Sequence, residues 1–270
     1  MMRWRIDLAY DGTGFRGWAS QPGLRTVQGV LEEHIGQVLR LPQPPSLVVA
    51  GRTDAGVHAR AQVCHLDLPG DDDLAETLLR RLGRVLPADI VVRSVSAAPL
   101  GFDARFSAVW RRYCYRLIDS EHFPDPLQRH RVAAVRHPVE VGLFNQGAEL
   151  LRGLRDFAAF CRPREGATTI RDLRELSARR DSEGVVEVHL LADAFCHSMV
   201  RSVVGALTAV AGGRRTLDWL VQVSGHTVRH SEIMVMPAHG LTLEEVGYPA
   251  DAELAERAEQ ARAVRTLEER

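Results

Sequence analysis

The order in which strand-type and helix-type periodicities follow one another limits the fold more than any single motif does. Residues 3–10 alternate, with Trp4, Ile6 and Leu8 on one face, which is the two-residue repeat of a half-buried strand. Just after Thr26, the apolar residues Val27, Val30, Leu31, Ile35, Val38 and Leu39 recur at helical spacing. Residues 46–50 and 62–68 predict two further strands, 74–86 a helix and 90–96 another strand. The order βαββαβ is that of a split βαβ unit, in which the strands pair largely antiparallel.

The second half repeats the mixture. A strand is predicted at 110–118, a helix at 141–151, strands at 173–180 and 185–192, helices at 199–211 and 217–223, and a short strand near Leu241. The expected fold class is therefore α+β, with two ferredoxin-like βαββαβ halves and a largely antiparallel sheet. The expected division is an N-terminal half over 1–100, a C-terminal half over 101–249, and an acidic tail over 250–270 that is helical or frayed. No repeat at a fixed period supports duplication, so this organisation rests on element order.

Composition narrows the function classes. The chain has 270 residues, 45% hydrophobic and 26% charged, enough to bury a substantial core. Its first residues, Met1 to Asp7, carry charge where a secretory leader needs an apolar run, and the longest apolar stretch, around 203–211, is too short to span a bilayer. A cytoplasmic location without membrane contact is expected. Cys64, Cys114, Cys161 and Cys196 are scattered without the paired spacing of a zinc site or redox couple, so neither metal nor disulfide is expected. The formal charge is −1, but residues 244–270 hold eight acids against four arginines, which leaves +3 on the remainder. The sequence has no lysine, so every fixed side-chain cation is a guanidinium, able to grip phosphate in two places and to stack on bases.

The candidate chemistry lies in Gly51-Arg52-Thr53-Asp54-Ala55-Gly56-Val57-His58, in the connection between two predicted strands. Gly51 and Gly56 permit tight backbone around a reactive side chain, and Arg52 is near enough in sequence to pair with the Asp54 carboxylate. On local chemistry alone, Asp54 reads as a turn aspartate that caps its own backbone. Tyr113 alternates with Tyr115 and Leu117 on one strand face and by itself reads as core. Arg201 interrupts an apolar helix, where a charge calls for a carboxylate partner, and Asp54 is the natural candidate.

The whole word from Gly51 to His58 resembles, without a substitution, the active-site signature of the tRNA pseudouridine synthase A family. Further words follow in family order: Tyr10-Asp11-Gly12-Thr13 with Phe15, Gly17 and Trp18; Thr26-Val27-Gln28; Gln62-Val63 with His65; Ala104-Arg105-Phe106-Ser107-Ala108; Arg112-Tyr113-Cys114-Tyr115; Met199-Val200-Arg201; and Tyr248-Pro249. The resemblance covers about residues 3–249.

It implies a pseudouridine synthase fold with a catalytic cleft between the two halves, and conversion of uridine to pseudouridine at positions 38, 39 and 40 of the tRNA anticodon stem-loop. It further implies Asp54 as the catalytic carboxylate and nucleophile, and Tyr113 packed on the target uracil. Arg52 resembles the residue that extrudes the base, and Arg201 the partner of the aspartate. The implied partners are the tRNA anticodon arm and a second subunit in a homodimer. No cofactor is implied, because the isomerisation neither adds nor removes atoms. Whether the carboxylate attacks C1′ or C6, or takes a proton at the 2′ position, stays open at this point. Asp103, Asp193, Ser198 and Ala19 depart from the family's usual residues without removing a catalytic group. Two other readings remain: an RNA-binding module that clamps a stem with Arg52, Arg105, Arg111 and Arg112, and a glycoside hydrolase, which would need a second carboxylate.

Overall fold

The computed structural model describes residues 1–70, 73–164, 166 and 168–262. Its described residues form two compact units: 1–109 with 243–262, and 110–242.

In the first unit, β1 (Met2–Tyr10) buries Trp4, Ile6, Leu8 and Tyr10 and turns the intervening residues outward, as its alternation requires. The helix α1 (Val27–Leu39) starts where the Thr26 hydroxyl accepts the Gly29 amide at 3.2 Å, and it packs Val27, Leu31 and Ile35 into the core. A two-residue strand, β2 (Val48–Val49), precedes the candidate loop, and β3 (His58–Leu68) follows it. After α2 (Asp73–Val85), β4 (Ile90–Ala97) pairs antiparallel with β1, and β1 pairs antiparallel with β3. With β2 antiparallel on β3, the order β4-β1-β3-β2 is that of a ferredoxin-like unit. The late strand β10 (Leu241–Gly247) also lies beside β3.

The second unit is built on β5 (Trp110–Ile118), which carries the short parallel strand β6 (Ala133–Ala134). Beyond β5 the order runs through β9 (Val186–Ala192) and β8 (Ile170–Arg180) to β7 (Gly153–Asp156), all antiparallel. Helix α3 (Val141–Leu151) packs on β8 and on α4 (Met199–Ala211), and α5 (Leu217–Ser224) completes the layer. Val203, Val204, Leu207 and Val210 of α4 are fully buried, each contributing about 1.5–3 kcal/mol by leaving water.

The described part of the tail is helical: Asp251–Glu253 form a 3-10 turn and α6 (Leu254–Gln260) packs down through Leu254 and Ala258, with an Arg257 guanidinium donating to the Ala108 carbonyl at 3.3 Å. Two apolar residues four apart are enough to seat one face of a short helix. Residues 263–270 of the expected tail lie outside the described residues. One expectation needs correction: Cys161 and Cys196 form a disulfide, their Cα atoms 5.9 Å apart. Their 35-residue separation hides the pairing, because only the β8–β9 hairpin brings the two segments together. Cys64 and Cys114 are buried and stand outside the disulfide, as their apolar surroundings suggest.

Among the described residues, no helix is long and apolar enough to cross a membrane, and no three His, Cys, Asp or Glu side chains are grouped to hold a metal ion.

Candidate active site

The loop at residues 51–58 is held from several sides within the first unit. The Val57 amide donates to the Asp54 carbonyl at 3.1 Å, closing a four-residue turn. Gly56, in the third position, has φ 79°, which a type II turn reserves for residues without a side-chain clash. Trp18 donates its amide to the Thr53 carbonyl at 3.0 Å, and the Gly56 amide donates to Phe15 at 3.3 Å. The Gly12 amide donates to His58 Nδ1 at 3.0 Å. Here the two segments touch so closely that a Cβ on Gly12 would lie 2.0 Å from the Val57 carbonyl oxygen. The 51–58 loop is thus a moulding of the 10–18 segment, and the early Tyr-Asp-Gly-Thr word serves the later one.

Side chains complete the hold. Gln62 Nε2 donates to the Gly51 carbonyl at 2.9 Å and to the Tyr10 hydroxyl at 3.2 Å, and the Tyr10 and Thr53 hydroxyls are 2.8 Å apart. Gln62, Tyr10 and Thr53 are all buried. Burial pushes the Tyr10 phenol up to about 12, so it stays protonated at any working pH. Within this frame Thr53 points inward, Asp54 is half-buried and Arg52 is exposed. Turn geometry and functional candidacy therefore coincide at Asp54: it opens the turn, and the turn fixes where its carboxylate starts.

The other two candidates belong to the second unit. Tyr113 lies on β5 opposite Leu190 of β9, 7% exposed, with its ring edge-on to Phe195 at 5.1 Å between centroids. Tyr115, two residues on, is fully buried, and its hydroxyl donates to the Pro237 carbonyl at 2.9 Å. Its ring lies where a Cβ on Gly240 would sit, 2.6 Å away. Burial raises its phenol pKa, and its role is structural. Arg201 stands in the first turn of α4, half-buried, with Nε donating to the Met236 carbonyl at 2.6 Å. Met236 returns its amide to the Arg201 carbonyl at 3.2 Å. His197 lies ahead of α4 rather than on it, because the helix begins only at Met199, after Ser198 in a left-handed conformation.

Several arginines that could clamp RNA have structural duties. Arg111 is buried and donates to the Asp193 carbonyl at 2.7 Å, Arg112 stacks over Trp110 at 5.0 Å, and Arg105 over Phe106 at 4.8 Å. Two of the unusual residues are likewise explained by local bonding. Asp103 accepts the amides of Arg105 and Phe106, and Asp193 accepts the Asp172 amide at 2.8 Å. Sequence reasoning placed Tyr10 and Gln62 among the matching words without assigning them a task. A polar residue ending the otherwise apolar inward face of β1 was the available signal.

Comparison with known proteins places this arrangement in a class. A family model described as tRNA pseudouridine synthase matches residues 148–249, the stretch that includes Arg201. The particular family is fixed by full-length relatives. The tRNA pseudouridine synthase A of Cutibacterium acnes is 61% identical over 268 residues, covering 98% of this chain and 96% of its own. Those of Leifsonia xyli subsp. xyli and Mycobacterium leprae are 52% and 46% identical, each over 98% of this chain and 98% and 96% of their own. The chain belongs to the tRNA pseudouridine synthase A family, and its reaction is the isomerisation of uridine in tRNA. The solved Cbf5-Nop10-Gar1 complex shares 10% identity over 90% of this chain and 58% of its own, at a TM-score of 0.35, too distant a likeness to bear on the site.

Proposed function

We propose that Asp54 is the nucleophile of this tRNA pseudouridine synthase and that its targets are uridines 38, 39 and 40 of the anticodon stem-loop. The observation that carries the first part is the 51–58 loop, whose backbone is fixed at Thr53, Asp54, Gly56 and Gly12–His58 and which presents one half-buried carboxylate. A rigid support of this kind is what a group attacking a single atom requires.

The reaction balances without any added group. The N1–C1′ bond breaks, the uracil turns, C5 joins C1′, and the C5 proton leaves to a base as the carboxylate is released. Each remaining candidate has a role that fits its setting. The uracil must leave the stack to be reached, and an exposed guanidinium such as Arg52 can fill the gap that it leaves. Tyr113 supplies an aromatic face for the extruded ring, braced by Phe195. Arg201 is assigned as the cation that accompanies the Asp54 carboxylate through the reaction. The anticodon arm as recognition element, a homodimer as the working assembly and the cytoplasm as its location complete the proposal.

The test is tritium release from tRNA carrying 5-tritiated uridine. Asp54→Asn is expected to release none above background while still binding tRNA. Release by that variant at the intact protein's rate would exclude Asp54 as nucleophile. Nearest-neighbour mapping of the product identifies which uridines are converted.

A further inference from the structure

We infer that Gln62 and Tyr10 are positioning residues for the reaction, setting the Asp54 carboxylate by gripping Gly51 and Thr53 of its loop. The inference rests on the reading of Asp54 as nucleophile. The two bonds made by the Gln62 amide nitrogen have a fixed direction. The Gln62 amide nitrogen has two hydrogens, and it spends one on the Gly51 carbonyl at 2.9 Å and one on the Tyr10 oxygen at 3.2 Å. The Tyr10 oxygen accepts from Gln62 and is hydrogen-bonded to Thr53 Oγ1, 2.8 Å away, with either hydroxyl able to donate. Gln62, Tyr10 and Thr53 thus form one connected chain of hydrogen bonds.

Simple core filling does not account for this arrangement. The inward face of β1 is otherwise Trp4, Ile6 and Leu8, and Gln62 is fully buried. Apolar residues of similar size would fill that space without needing satisfied partners. What the polar version adds is a specific tether: the Thr53 hydroxyl is bonded to Tyr10, while the Thr53 carbonyl is held by the Trp18 amide. Thr53 is bonded directly to Asp54, so a rotation at Thr53 is passed to the carboxylate. A displacement of about 1 Å in a reacting group costs on the order of a hundredfold in rate.

Tyr10→Phe and Thr53→Val each remove one hydroxyl from the chain at nearly constant volume. Each is expected to lower kcat for tritium release by about 10- to 100-fold and to leave KM for tRNA within twofold. The double variant should be no slower than the worse single one, because both break the same link. Thr53→Ser, which keeps the hydroxyl, should restore most of kcat. Wild-type kcat in both Tyr10→Phe and Thr53→Val overturns the inference, and so does a Thr53→Ser variant as slow as Thr53→Val. A matched rise in KM with unchanged kcat would overturn it too, since that is the mark of weakened RNA binding. Asp54→Asn, run beside them, separates the two failures. If Asp54→Asn is active, the nucleophile assignment falls; if it is inactive while the hydroxyl variants are normal, only the positioning role falls.

Discussion

Tyr113 is the residue at which a bland reading and a functional one are hardest to separate, since both require burial. Its neighbour supplies the contrast. Tyr115 gives its hydroxyl to the Pro237 carbonyl and its ring to the space above Gly240, so it is committed to packing. Tyr113 instead meets Phe195 at nearly a right angle, an edge-on contact that supports a ring face. If the face is what matters, Tyr113→Phe should keep kcat within about fivefold, whereas Tyr113→Ala should lose about 10- to 100-fold, within the roughly 1–3 kcal/mol of stacking per base. Steady-state tritium release checks this, and equal loss in both variants would move the role to the hydroxyl. Sequence alone could not have made the distinction, because Tyr113 and Tyr115 share one strand face and differ only in what the fold brings to them.

The elements read most faithfully from sequence are those with unbroken periodicity. The predicted strand at 110–118 and helices at 141–151 and 199–211 agree with β5, α3 and α4 to the residue. By contrast β7, Gly153–Asp156, was not foreseen, because four residues of which none is fully buried carry no alternation. The strand expected at 46–50 shrinks to Val48–Val49, where pairing with β3 covers only two residues. Interactions between elements were also hidden, and Asp119 is the clearest case. It follows β5, is almost wholly buried, and accepts from Arg180 of β8 at 2.7 Å, from the Val139 amide at 2.9 Å and from His122 at 2.8 Å. Burial pushes its carboxyl upward, but these bonds and the Arg180 charge outweigh that and hold it at about 2. A depressed carboxylate stabilises the fold above its unfolded value and loses that contribution as pH falls through the folded value. Asp119→Asn should therefore lower stability by about 3 kcal/mol near neutral pH, by leaving Arg180 without its charge partner. The gap between variant and parent should close between about pH 4 and pH 2. Thermal melts followed by circular dichroism measure both, and a gap that stays constant down to pH 2 would refute the assignment.

At the scale of the molecule, family membership was legible in the sequence, and the bracing of the 51–58 loop was not. The 51–58 word could be read from the chain, whereas its dependence on Tyr10, Gly12, Trp18 and Gln62 exists only once β1 and β3 are paired. The disulfide was missed for the same reason: its cysteines are remote in sequence, and the hairpin between them does the joining. For a loop of that length, cross-linking stabilises by about 3–4 kcal/mol in the chain-entropy view. Reduction, or Cys161→Ser, should lower the thermal midpoint by several degrees. Equal midpoints with and without reductant, with two thiols rather than four titrating after denaturation in its absence, would remove the stabilising role while keeping the bond.

The division of the chain also governs the order in which its parts can be finished as they leave the ribosome. The unit spanning Trp110–Thr242 occupies one uninterrupted stretch of chain, whereas the unit that begins at Met1 still awaits the residues from Leu243, including the greater part of β10 and the helix at Leu254–Gln260. The unit synthesised second is thus the one whose own residues are all available first. The β3 flank must wait for more than a hundred intervening residues.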